Sequence, residues 1–413
     1  MRVIAGSIGN FIEWYEFAVY GFLATVIARN FFQLEGEAEL TSLILTWASF
    51  AIAFFFRPLG AVVFGRIGDR IGRKPTLIIV LVLMTLATAA IGIEPVYASI
   101  GIAAPLIVTL LRILQGLLRA VAWRRGLVDD GFALRGKRGL YGHGSPSPWR
   151  SGCCGALSRC FALLPPEALH DWGWRIPFFL ALPMGAVALW LRVSMEETPS
   201  FVQQREKPVV TQASTAATFN TILMGIGRVM VWSAAGYTYL VIMPTYLQSA
   251  LHTGFNQALL IAVISNIGFA LTIIPSGMLS DRIGRRTVMI IATVLLLILA
   301  LPLLKILQAE SSTLAVKASV VLIGGGLVGM LAGPGPAMLS EMFPTRVRYT
   351  GLGLAYSLSN AIFSGCAGLI ITGLIKETGN LDIPAYYVMA TAVVSIFALM
   401  TLRKDDHVRS LEE

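Results

Sequence analysis

Five charged side chains stand inside apolar stretches of helix length: Glu13 and Glu16 in the first, Arg57 in the second, Arg112 in the fourth and Arg228 at the start of the second half. Charge at membrane depth is expensive and persists where it faces a cavity or a partner, so carboxylates placed there default to a functional reading. A guanidinium with aromatic neighbours, such as Arg228 ahead of Trp232, Tyr237, Tyr239 and Tyr246, would suit a carboxylate or a zwitterion. Plainer readings stand beside these. Glu13 and Glu16 could lie near a helix end and pair with a loop arginine, Arg112 could snorkel to the interface, and the aromatics could be interfacial anchors.

The elements that must position these charges are membrane helices. The chain has 413 residues, of which 56% are apolar and only 13% charged, and its mean hydropathy is +0.73. Those values exclude an ordinary soluble domain and leave room for ten to twelve spans of about 20 residues. The net charge of +9 fits basic cytoplasmic loops rather than nucleic-acid binding. Of four cysteines, Cys153, Cys154 and Cys160 crowd together without zinc-ligand spacing or a disulfide framework, so no metal or cofactor is expected. No nucleophile and base constellation suggests an enzyme. The first apolar segment contains Glu13 and Glu16 and lacks a small-residue cleavage site, so it is expected to remain as a helix.

Apolar runs predict helices over about 3–32, 41–63, 76–95, 99–118, 176–192, 218–249, 257–280, 287–307, 314–341, 350–375 and 384–402. The first loop holds Glu35, Glu37 and Glu39 without Lys or Arg, whereas the second holds Arg66, Arg70, Arg73 and Lys74. That asymmetry puts the second loop in the cytoplasm and, with twelve spans, both termini there too. Arg403 and Lys404 agree with this. Residues 196–216 are polar, which divides the chain into 1–193, a linker at 194–216, and 217–413.

The second loop is also a repeat. Gly65-Arg66-Ile67-Gly68-Asp69-Arg70-Ile71-Gly72-Arg73-Lys74 returns about one half-chain later as Gly277-Met278-Leu279-Ser280-Asp281-Arg282-Ile283-Gly284-Arg285-Arg286. A charged hinge repeated at matching places marks a duplicated membrane protein whose halves move against each other. Glycine suits the tight turn, the aspartate suits a neighbouring helix N-terminus, and the arginines can pair with carboxylates of the adjoining bundle, which would hold the cytoplasmic side closed. Gly65, Gly68, Asp69, Arg70, Gly72, Arg73, Asp281, Arg282, Gly284 and Arg285, with Glu341 and Arg346 after the tenth helix, make up the expected gating set. A positive turn that only sets topology, with Glu341 a simple loop charge, is the alternative. Gly324-Gly325-Gly326 and Gly333-Pro334-Gly335-Pro336 lack the Lys-Ser/Thr of a phosphate loop and are read as helix packing and bending.

Several strings carry a family resemblance: Gly9 to Phe17, Arg57-Pro58-Leu59-Gly60-Ala61 running into the first hinge, Leu111 to Gly116 with its Arg-x-x-Gln-Gly, Trp172 to Pro177, Glu196 to Phe201, and Glu341 to Gly351. Together they resemble the metabolite:proton symporter family of the major facilitator superfamily. The resemblance implies an all-α membrane protein of two pseudo-symmetric six-helix bundles, twelve helices around a central cavity, working by alternating access. It further implies proton-driven uptake of a small organic acid or zwitterion across a bacterial-type cytoplasmic membrane, by a monomer, with Arg112 partnering an intramembrane acid. A facilitative or exchange carrier would use the same scaffold.

Two windows depart from the family pattern. Residues 117–135 carry Arg119, Arg124, Arg125, Asp129 and Asp130 where helix four should finish, and residues 143–165 hold no apolar run of spanning length. Good matches bound both windows, which suggests compensated reading-frame shifts and a transport-defective product. The other reading is a polar re-entrant region lining the cavity.

Overall fold

The computed structural model describes residues 15, 18–33, 38–129, 168, 171–193, 215–342 and 348–402, without the side chains at 61, 65, 69, 73, 74, 120–129, 192, 215–219 and 348–352. Glu13, Glu16, Arg346, the region of the fifth helix and the window at 143–165 lie outside the described residues, as do the side chains of Asp69 and Arg73. Among the described residues the chain is helical throughout, and nine helices are long and apolar enough to cross a membrane.

The first helix, described at Tyr15 and from Ala18, ends in α1 (Ala24–Ile27) and a π-helical turn, Ala28–Phe32. Then come α2 (Glu39–Phe55), α3 (Arg57–Ile71), α4 (Arg73–Ile93), the short α5 (Tyr97–Ile100) and α6 (Ala103–Asp129). A 3-10 turn, Gly173–Arg175, leads into α7 (Ile176–Val193). The second half contains α8 (Thr215–Tyr237), a π turn at Thr238–Ile242, α9 (Met243–Ser249), α10 (Phe255–Ile283), α11 (Arg285–Gln308) and α12 (Leu314–Ala332). It closes with α13 (Gly335–Met342), α14 (Arg348–Ser359), a π turn at Asn360–Gly365, α15 (Ala367–Thr378) and α16 (Ile383–Met400).

Two expectations are corrected. The hinges are not loops: α3 and α10 run through them to Ile71 and Ile283, and only Gly72 and Gly284 leave the helix. Asp, Arg and Ile can all continue the hydrogen-bonded ladder, while a glycine at positive φ stops it at small cost. The fourth helix does not stop near 118 either, because α6 continues to Asp129. Its added residues include Arg119, Ala120, Ala122, Arg124 and Arg125, and both Ala and Arg are good helix formers even though Arg is a poor lipid neighbour.

Two spans of the second half are interrupted at proline or glycine, while α10 runs unbroken through Pro275. Pro244 cannot donate a backbone hydrogen bond, and the π turn Thr238–Ile242 lies just before it. Gly333 and Pro334 separate α12 from α13. Large apolar side chains face outward, with Trp190 and Phe397 each 68% exposed. Lipid covers such surfaces as well as protein does, so close packing by small residues has to hold the helices together. The α10 and α12 pair shows this: a Cβ on Gly325 would collide with the Ser265 carbonyl, and one on Gly268 with the Leu322 carbonyl.

The end away from the hinges is closed between the two halves. Lys376 Nζ donates to Thr41 Oγ1 at 2.7 Å, and Thr25 Oγ1 to Gln248 Oε1 at 2.8 Å. Gly368 lets α15 come against the Trp47 ring, where a Cβ would clash. Within the second half, Lys305 pairs with Asp382 at 2.7 Å, and Gln308 Nε2 donates to Asp382 Oδ1 at 3.0 Å.

Candidate functional site

Trp47, Phe50 and Phe54 recur on α2 at helical spacing, so one face of that helix is aromatic. The face meets Tyr20 from the first helix and Tyr237 from α8. Ring centroids are 5.9 Å apart for Tyr20 and Phe50, 6.1 Å for Phe50 and Tyr237, and 5.6 Å for Phe54 and Tyr237. The cluster therefore joins the two halves of the chain.

Arginines cover it from two sides. The Arg112 guanidinium lies 3.9 Å from the Tyr20 ring centroid and 4.9 Å from that of Phe50, and Arg57 lies 3.7 Å from Phe54. Arg112 is fully buried and Arg57 nearly so. Desolvated cation and ring contacts of this kind contribute about 2 kcal/mol each. Arg112 Nη1 also donates to Gln115 Oε1 at 2.8 Å, and Gln115 Nε2 passes the connection to Thr88 Oγ1 of α4 at 2.8 Å. Arg112 and Gln115 are one helical turn apart, which explains the Arg-x-x-Gln spacing. The following glycine has its own reason, since a Cβ on Gly116 would strike the Ala53 carbonyl of α2.

Arg228 is not part of this group. Its Nη2 donates to Thr401 Oγ1 at 2.8 Å and its Nε to the Ala398 carbonyl at 3.3 Å, which fastens α8 to the end of α16 on the hinge side. It precedes Tyr237 by about 13 Å along the helix axis. Tyr237, Tyr239 and Tyr246 are buried rather than interfacial, and Trp232 packs on Tyr356 with centroids 5.8 Å apart.

At the second hinge, Arg285 gathers the charges. Its Nη1 pairs with Asp281 Oδ1 at 2.6 Å and donates to Ser280 Oγ at 2.6 Å. Its Nη2 and Nε reach the two oxygens of Glu341 at 3.3 and 3.4 Å. All three charged side chains are buried. Asp281 ends one helix beside the N-terminus of the next, where a negative charge is favoured. Arg282, like Arg70 of the first hinge, is exposed, and a Cβ on Gly68 would only touch Thr76 at ordinary distance.

Sequence reasoning missed Tyr20, Thr88 and the aromatic face of α2, although the period of Trp47, Phe50 and Phe54 could have revealed that face. Among the described residues no group of His, Cys, Asp and Glu could hold a metal ion.

Residues 2–217 match the family described as Sugar (and other) transporter, and residues 226–413 match the Major Facilitator Superfamily. The Proline/betaine transporter of Escherichia coli (strain K12) is 32% identical over 420 residues, covering 97% of this chain and 83% of the relative. The Citrate-proton symporter of Klebsiella pneumoniae is 35% identical over 402 residues, covering 94% of this chain and 88% of the relative. A crystal structure of D-xylose-proton symporter superposes with a TM-score of 0.73 at 17% identity, over 97% of this chain and 96% of that one, and shares the fold.

Proposed function

The chain belongs to the metabolite:proton symporter family of the major facilitator superfamily, and from that premise we propose that it carries a small organic acid or zwitterion into the cell together with a proton. The observation that carries this reading is the convergence of Arg57 and Arg112 on one aromatic cluster that Tyr237 shares across the two halves. A planar guanidinium offers paired donors to a carboxylate. Citrate and proline, named for two of the relatives, both carry one.

In this account Glu13 and Glu16 take up the proton, and Arg57 and Arg112 attract the substrate carboxylate. Arg228 serves the join between α8 and α16 instead. The hinge residues are the gating set, and Arg285, paired with Asp281 and Glu341 of its own half and not with the adjoining bundle, stiffens that end of 217–413 as it moves. Residues 1–193 and 217–413 move as two bundles joined by 194–216, in a multi-pass arrangement of one monomer in the cytoplasmic membrane, with hinges and both termini on the cytoplasmic side.

A second reading, a transport-defective product, is favoured by α6 itself, which continues past Gly116 through Arg119, Arg124 and Arg125. Uptake of labelled proline, glycine betaine and citrate by cells expressing the chain as encoded separates the two. Accumulation that collapses with the proton gradient supports the symporter. Correctly inserted protein that accumulates none of the three, while the same chain with both windows rebuilt as apolar helices does so, supports the damaged product.

A further inference from the structure

Glu94 follows directly after α4, next to Pro95, where an ordinary loop acid would reach water. It does not: only 4% of the residue is exposed, and neither carboxyl oxygen makes a well-formed hydrogen bond. The chain around it is fixed. Arg175 Nη1 donates to the carbonyls of Gly92 and Glu94 at 2.7 and 3.0 Å, which caps α4 and leaves the Glu94 side chain turned inward. Among the described residues, the charged and titratable groups facing Glu94 are Arg175 from the turn before α7 and Tyr20 from the first helix, with Arg112 of α6 stacked beyond Tyr20. The Val108 backbone amide of α6 is also near. Residues 176–191 of α7 contain no titratable side chain.

An ionised carboxylate buried without hydrogen bonds is far costlier than a neutral acid. The same end of the molecule is the one shut by Lys376 with Thr41 and Thr25 with Gln248. We propose that Glu94 is a proton-binding site of this carrier, holding its proton while α4, α6 and the turn before α7 enclose it and losing it when water reaches it. This rests on the transporter reading given above. The step is a simple protonation: water supplies a proton to a carboxylate oxygen, and the same oxygen returns it to water.

Burial pushes the Glu94 carboxyl up to about 8, with the Val108 amide and the Arg175 guanidinium opposing the rise. A raised value means that the form with Glu94 enclosed is favoured most below the ordinary carboxylate range and loses that advantage as pH climbs through about 8.

The test is an infrared pH titration of the purified full chain in lipid, following the carbonyl stretch of protonated carboxyl groups, in the wild type and Glu94→Gln. The expected result is a band that disappears with a midpoint near pH 8 in the wild type and is absent from Glu94→Gln. A band that survives the substitution, or no band above the usual carboxylate range, overturns the proposal. Should Glu94→Gln fail to fold, Arg175→Gln serves: removing the cation should move the midpoint upward, and an unmoved midpoint overturns the proposal. No substrate enters the measurement. Failure of transport with proline, glycine betaine and citrate would therefore count against the carrier reading and not against proton binding at Glu94.

Discussion

Gly72 and Gly284 hold the same backbone conformation in the two halves, with φ 95° and ψ 159° at the first and φ 94° and ψ 148° at the second. The sequence repeat is thus a structural one, and each copy breaks its helix at a single residue. Side chains other than hydrogen are strained in this region by about 1–3 kcal/mol. Gly72→Ala and Gly284→Ala should each lower stability by that amount. Thermal unfolding in detergent checks it, and a Gly68→Ala control, at helical φ with room for a methyl, should cost much less.

Arg285 is the shared cation of two buried carboxylates, which makes it the sensitive member of the second latch. Removing one partner from a buried ion pair costs about 3–5 kcal/mol. Arg285→Gln should reach that range, whereas Glu341→Gln, which leaves Arg285 with Asp281 and Ser280, should cost less. Comparison of the two melting temperatures reads the difference. Labelling of a cysteine placed at the hinge end should rise in both variants as the junction of α10, α11 and α13 loosens.

Arg112 and Arg228 are both buried guanidiniums in helices, yet they should respond differently. Arg112→Lys keeps the charge and loses the planar stacking on Tyr20 and Phe50, worth about 2 kcal/mol. Gradient-driven accumulation should fall at least tenfold. Arg228→Lys should lower the melting temperature through its contacts with Thr401 and Ala398 and leave accumulation per folded molecule unchanged. Uptake normalised to monodisperse protein checks both.

Asp382 offers a stability test at the opposite end. Its hydrogen bond and ion pair with Lys305 hold the carboxyl below the usual range, with Gln308 adding a further hydrogen bond. A depressed value contributes stability that is present above the ordinary carboxylate pKa and lost as pH falls through the folded one. Melting temperature should therefore drop at the acid end of the titration, and Asp382→Asn should flatten that part of the curve. The effect should be modest, because Lys305 is 57% exposed and water screens the pair.

Composition and apolar run length made most of the helices legible, because a bilayer allows few other backbones. Hinge charges were legible too: the pairing of Arg285 with Glu341 follows from two motifs whose residue types have little else to do. What could not be read was direction within a helix. Arg228 has the same residue type as Arg112 and also stands in an apolar stretch, and only the packing of α8 on α16 turns it toward Thr401. Glu94 looks like any loop acid before a proline, since burial at a helix end is decided by the turn at Gly173–Arg175, far away in sequence. Helix propensity likewise carried α6 to Asp129 through residues whose polarity had suggested a stop.

The most direct measurement is the pH of a weakly buffered suspension of cells or proteoliposomes carrying the chain as encoded, recorded as proline, glycine betaine or citrate is added. At least one of them should alkalinise the medium as protons enter with it, and a protonophore should abolish its accumulation. Uptake with no pH change and no sensitivity to the protonophore would contradict proton coupling and leave an exchange or facilitative carrier on the same scaffold.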